Sequence, residues 1–160
     1  MPLASAASAA PALRSVCLVV PQLDPVVRVL QRLLDVPNVH RDPRAELWGI
    51  ENAVLSLGAT ALEVCAPIRP GAAAHRFLAR HPNGGGFALT FGCDEMDERK
   101  RRVERLGVRV VADVDEPGLR LLQLHPRDCG GCMLQFDGMA APPARDNAPI
   151  AMTAVELRTK

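Results

Sequence analysis

A chain of 160 residues, 48% hydrophobic and 23% charged, is sized for one domain around one core. Its 19 Lys and Arg against 18 Asp and Glu leave a formal charge of +1, so no global field draws it to nucleic acid or to a membrane surface. Aromatic residues make up only 3%, with no Tyr, which excludes a base-stacking platform. No run nears the ~20 apolar residues of a membrane span. The start, MPLASAASAAPA, lacks the basic and apolar parts of a secretory signal, so residues 1–12 read as a flexible tail. Five cysteines are an odd count, and Cys17, Cys65 and Cys93 sit inside apolar runs. Free thiols in a reducing cytoplasm fit this better than a disulfide framework.

In chain order, the first apolar strand runs over 13–20. Asp24-Pro25 signals a helix start, with a carboxylate to cap free N–H groups and a proline in the first turn. Val26, Val27, Leu30, Leu33 and Leu34 recur on one face of that helix. Asp35-Val36-Pro37-Asn38 ends it. Short strands are expected at 39–41, 45–50, 53–57 and 61–66, divided by Asp42-Pro43, Glu51-Asn52 and Gly58.

A connector rich in Pro, Gly and Ala follows over 67–85, with one short helical segment near 74–80. A second strand–helix unit then opens at 87–93. Its helix starts at Asp94 or Asp97, buries Met96, Val103 and Leu106, and is capped by Gly107. The basic run Arg99, Lys100, Arg101, Arg102 and Arg105 on this helix reads as a solvated face. Strands are expected at 108–114, 119–124 and 132–137. After a Pro/Ala linker, 150–158 reads as one more strand, which must pair with this domain, with a partner chain, or with a further unit that 139–160 begins.

The two units repeat. Ser15-Val16-Cys17-Leu18-Val19 and Ala88-Leu89-Thr90-Phe91-Gly92 stand 73 residues apart (15 to 88), and Leu62-Glu63-Val64 and Leu134-Gln135-Phe136 stand 72 apart (63 to 135). A repeat held in register to one residue implies paired supersecondary units, 13–66 and 86–138, sharing a cleft.

Strand–helix–three strands, twice over, resembles the vicinal oxygen chelate superfamily, the glyoxalase and bleomycin-resistance fold. Within it the chain looks most like methylmalonyl-CoA epimerases. Four stretches carry the resemblance: Val19-Val20-Pro21-Gln22-Leu23-Asp24, Leu62-Glu63-Val64-Cys65-Ala66-Pro67, Leu106-Gly107-Val108-Arg109, and His125-Pro126-Arg127 followed by Gly130-Gly131 and Leu134-Gln135. The fold it implies is α+β: paired βαβββ units over 13–138, forming a curved, incomplete β-barrel with a central cleft. The resemblance also implies a divalent metal held by His, Glu or Gln, His and Glu. These positions fall on Ser15, Glu63, Ala88 and Gln135, so both histidines are missing. One carboxylate and one amide fall short of the ligands that Zn²⁺ needs, and would hold at most a weak divalent ion.

Glu63 interrupts an otherwise apolar strand and is the expected base, its pKa raised if it faces an apolar cleft. Ser15 and Cys17 share one strand face, and Ala88 and Thr90 share the matching one. With Glu63 and Gln135, these small polar residues would leave a groove for a small ligand, or would simply allow close packing. Cys17 lacks a cationic neighbour in sequence and reads as inert. Cys129-Gly-Gly-Cys132 falls in a turn and reads as coincidence rather than a redox pair or zinc site. His125 reads as ordering that turn, and Trp48 as a core residue.

These readings converge on a cytoplasmic glyoxalase-like domain that takes a small oxygen-rich or acyl ligand in its cleft, with no tightly held metal and no other cofactor. Two rivals stand beside it. One is an active lyase or isomerase drawing ligands from His40, His81, His125 or a partner chain. The other is a non-catalytic, resistance-type sequestering protein. The resemblance leaves room for a homodimer.

Overall fold

The computed structural model describes residues 10–138, 150–156 and 158. One seven-stranded sheet organises the described residues. The first unit contributes β1 (Ala12–Val19), helix α1 (Leu23–Leu33), a 3-10 segment (Pro43–Trp48), β2 (Ile50–Leu57) and β3 (Thr60–Pro67). After the short helix α2 (Ala73–Leu78), the second gives β4 (Gly85–Gly92), α3 (Met96–Arg105), β5 (Val110–Glu116), β6 (Leu119–Leu124) and β7 (Met133–Asp137). Their spatial order is β2-β3-β1-β4-β7-β6-β5. In each unit the opening strand pairs parallel with the closing one, and β1 and β4 join the units antiparallel at the centre.

Three sequence expectations are corrected in the first unit. Residues 45–50 do not form a strand: Pro43 starts a 3-10 segment whose first amide, that of Arg44, is capped by the Asp42 carboxylate. Proline has no N–H for a ladder, and its fixed φ suits a helical start. The strand expected at 39–41 shrinks to one bridge, His40 with Val54. Asp24 does not cap α1; Gln22 holds that position without a side-chain bond, and Asp24 lies in the first turn facing Arg41.

The sheet's outer face carries the main cores. Val20, Leu23, Val27, Ala53, Leu55 and Val64 pack with α1, while Met96, Val103, Leu122 and Leu124 pack with α3. Alternation along the strands supplies this side: Leu55 and Leu122 are almost wholly buried. Leu33 and Leu106, expected on the buried stripes, are instead about 70% exposed, because each lies at the fraying last turn of its helix. Gly107, at φ 66°, takes the left-handed turn after α3 that a side chain would resist. Trp48 is half-buried at the end of the 3-10 segment, outside these clusters. Residues 150–156 form no strand: Met152 packs on the first unit's core, Ala151 lies beside Gly58, and Leu157 is outside the described residues.

The sheet curls strongly. Flat strands lie about 4.8 Å apart, so β2 and β6, five places apart, would be separated by about 24 Å. Yet Arg44, beside β2, donates from Nη1 to the carbonyl of Gly118 in the β5–β6 turn at 2.7 Å. The 3-10 segment is therefore a strap joining the two sides of an unclosed barrel. No helix among the described residues is long and apolar enough to cross a membrane.

Candidate functional site

The inner, concave face is fixed by register. Cys17 pairs with Glu63 and Ala88, Ser15 with Thr90, and Thr90 with Gln135. Paired residues project to the same side of a sheet, so all six candidates share that face. Glu63 and Gln135 thus lie on one face of the sheet, on strands three places apart.

The six then divide. Cys17 and Ala88 are buried beneath α2, packed with Ala74, Phe77 and Leu78, so their small size is used for packing. Thr90 is buried at the centre, while Ser15, Glu63 and Gln135 are half-buried on the same face. Cys17 Sγ also lies 3.2 Å from Cys65 Sγ, and Cys65 donates to the Leu18 carbonyl. That thiol contact, with burial, pushes the Cys17 pKa well up, which suits an inert group.

Glu63 is held by a residue that the sequence reading left in a turn. Asn52, buried on β2, donates from Nδ2 to Glu63 Oε1 at 2.7 Å, and its Oδ1 accepts from the backbone N–H of Asp42 at 3.0 Å. Asn52 thus ties the carboxylate to the start of the strap. Desolvation raises the Glu63 pKa; the Asn52 bond opposes that, and the charge of Asp42 adds to it. The second unit mirrors the arrangement without a charge, since Gln123 Nε2 donates to Gln135 Oε1 at 2.8 Å. Alternation along β2 could have exposed Asn52 as inward, had the strand been started at Ile50 instead of after Asn52.

These donors do not fit a divalent metal. Ala88 offers no atom, Glu63 and Gln135 each have one oxygen already engaged by an amide, and Ser15 supplies only a hydroxyl. Among the described residues, no three His, Cys, Asp or Glu side chains are placed to hold an ion. The histidines do not fill the gap. His81 stacks on Phe77, and His125 Nδ1 accepts from the Arg127 N–H, ordering its turn. His40 pairs with Val54, itself the partner of Glu63, so it stands two strands away, about 10 Å.

The remaining motifs are structural. Cys129 ends the 3-10 turn Pro126–Asp128, and Cys132 Sγ contacts the Phe87 carbonyl; both thiols are free, with pKa values raised chiefly by burial. The basic face of α3 is solvated and paired: Arg101 and Arg105 with Glu98, and Lys100 with Asp113. Arg99 lies over the Phe136 ring.

A two-unit sheet of this order, curled around an inner face with α1 and α3 packed outside, has the vicinal oxygen chelate fold. The proteins this chain resembles are methylmalonyl-CoA epimerases. The ethylmalonyl-CoA/methylmalonyl-CoA epimerase of Cereibacter sphaeroides is 25% identical over 93 residues, covering 56% of this chain and 69% of that protein. The mitochondrial methylmalonyl-CoA epimerase of Homo sapiens is 25% identical over 130 residues, 78% of this chain and 72% of the relative. Among solved structures, a methylmalonyl-CoA epimerase variant of Streptomyces coelicolor in complex with 2-nitronate-propionyl-CoA superposes with TM-score 0.71 at 23% identity, covering 81% of this chain and 97% of that one. The Mycobacterium tuberculosis methylmalonyl-CoA epimerase gives 0.70 at 24%, covering 85% and 91%. No family model matches the chain.

Proposed function

We propose that the chain binds a small acyl thioester, of the methylmalonyl-CoA kind, on its inner face, without a tightly held metal. One observation carries this reading: Ser15, Glu63, Thr90 and Gln135 converge on a single concave face that bears no imidazole. Similarity to epimerases, and to structures holding CoA esters, supports the ligand class. Burial of Glu63 supports a second reading. A desolvated carboxylate with one oxygen on Asn52 keeps its other oxygen for a proton, and its raised pKa suits a base acting on an acidic carbon. In that reaction Glu63 takes the proton α to the thioester carbonyl, and solvent exchange follows.

Two measurements test this. Titration of the purified chain with methylmalonyl-CoA should be saturable, and metal analysis should find no stoichiometric zinc or cobalt. Tightly held stoichiometric metal would refute the metal-free cleft. In deuterium oxide, the α-hydrogen should wash out with the native chain and not with Glu63→Gln. Binding without exchange leaves a sequestering protein.

A further inference from the structure

We propose that Arg14 is the anion-recognition residue of this cleft, presenting its guanidinium to a carboxylate carried by the acyl ligand. The inference rests on the acyl-thioester reading and names the part of the ligand that this chain distinguishes.

Plain alternation would send Arg14 outward, since Ser15 points in. The register between β1 and β4 slips here: Leu13 faces Phe91 and Ser15 faces Thr90, which leaves Arg14 as the extra residue of a β-bulge. The bulge turns it to the inner side, where the side chain lies over Gly92. A Cβ on Gly92 would stand 2.3 Å from Arg14 Nε and 2.8 Å from its Cζ, so a side chain there would displace the guanidinium. Gly92 pairs with Asp137, one inward step beyond the Thr90–Gln135 pair. Arg14 Nη1 meets Asp137 Oδ2 at 3.3 Å, and the Arg14 side chain is only 16% exposed. Bulge, glycine berth and ion pair together hold a cation on the cleft floor.

A guanidinium is a planar fork suited to a carboxylate, with five N–H groups. In Arg14, Nη1 faces Asp137 Oδ2. The inward step to Gln135 spans about 6.6 Å, so a carboxylate on Arg14 leaves the next few ligand atoms over Ser15, Thr90 and Gln135. Arg14 directly precedes Ser15, where the resemblance puts the first metal ligand; the charge this cleft offers an anion is organic. Arg44, whose field also reaches Asp137, is already committed to Asp42 and the Gly118 carbonyl.

The test compares methylmalonyl-CoA with propionyl-CoA, which has a hydrogen in place of the carboxylate, by calorimetric titration of the full chain. The native protein should bind the carboxylated thioester at least about tenfold more tightly, the scale of charge-assisted hydrogen bonds. Arg14→Gln combined with Asp137→Asn removes both charges of the pair, and should bind the two thioesters equally. Arg44→Ala should keep the preference. A preference that survives in the double variant, or is lacking in the native chain, overturns the proposal. If neither thioester binds, the acyl-thioester reading falls, and free methylmalonate decides Arg14. A change in thermal midpoint that the double variant abolishes would support it, and no change in the native chain would overturn it.

Discussion

The two units share a plan and differ at its most consequential point. Each closes with a strand whose inward polar residue accepts from an amide on the strand before it: Glu63 from Asn52, and Gln135 from Gln123. The first unit therefore keeps a carboxylate where the second keeps a neutral amide. Around Glu63 the chain adds a strap, and Asn52 binds that strap's backbone as well as the carboxylate. Among the described residues, nothing comparable is attached to Gln135. The repeat presents one scaffold twice, and desolvation makes a charge costly in the half that carries it.

Substitutions can break this comparison, beginning with the cores. Leu55→Ala and Leu122→Ala truncate fully buried side chains on the outer face, one in each unit, and each should cost about 3–4 kcal/mol in denaturant unfolding. A single transition in both variants would show that the halves unfold as one cooperative unit; a second transition in either would break them into separate ones. Next, Asn52→Ala strands both Glu63 and the Asp42 amide, and should cost about 2 kcal/mol, whereas Gln123→Ala should cost under about 1 kcal/mol because Gln135 is neutral and half-buried.

The charge itself is read by pH. Because Glu63 has a folded pKa above its unfolded value, the native state binds the extra proton between the two, and stability falls as pH rises through that window. Glu63→Gln keeps the bond to Asn52 and should stabilise the chain by about 1 kcal/mol at neutral pH and not at pH 4, flattening the profile. Unchanged stability at neutral pH would show that Glu63 is solvated. Asp128 has the opposite sign: Arg109 holds its carboxyl well below the usual range, so its contribution is present above the unfolded pKa and fades as pH falls. The smallest effect is expected at the strap, where Arg44→Ala removes an exposed ion pair and one bond to Gly118, and should shift stability by less than about 1 kcal/mol.

Much of the second unit was legible in the sequence. Its helix, the glycine that ends it and its four strands fall within about two residues of expectation, because alternation and turn residues agree there. The first unit was harder to read. Pro43 and the Asp42 cap favour a 3-10 turn over the apolar pattern of 45–50, and shifting the following strand hid Asn52. Ser15, Glu63, Ala88 and Gln135 could be named because the resemblance puts the metal positions there, and the two-residue period then added Cys17 and Thr90 to the same faces. Arg14 could not be, since that period assigns it to the opposite face.

From its residues alone, this chain determined a repeated strand–helix scaffold, because hydrophobic periodicity is a local property; the positions expected to line the inner wall, and their lack of imidazole, came from the resemblance. The rest depended on how strands register against one another. A one-residue slip beside Leu13 turns an arginine into the cleft, α2 covers half of the small residues, and the curl of the sheet lets Arg44 reach Gly118. Pairing register and curvature arise between segments distant in the chain, and no short stretch encodes them.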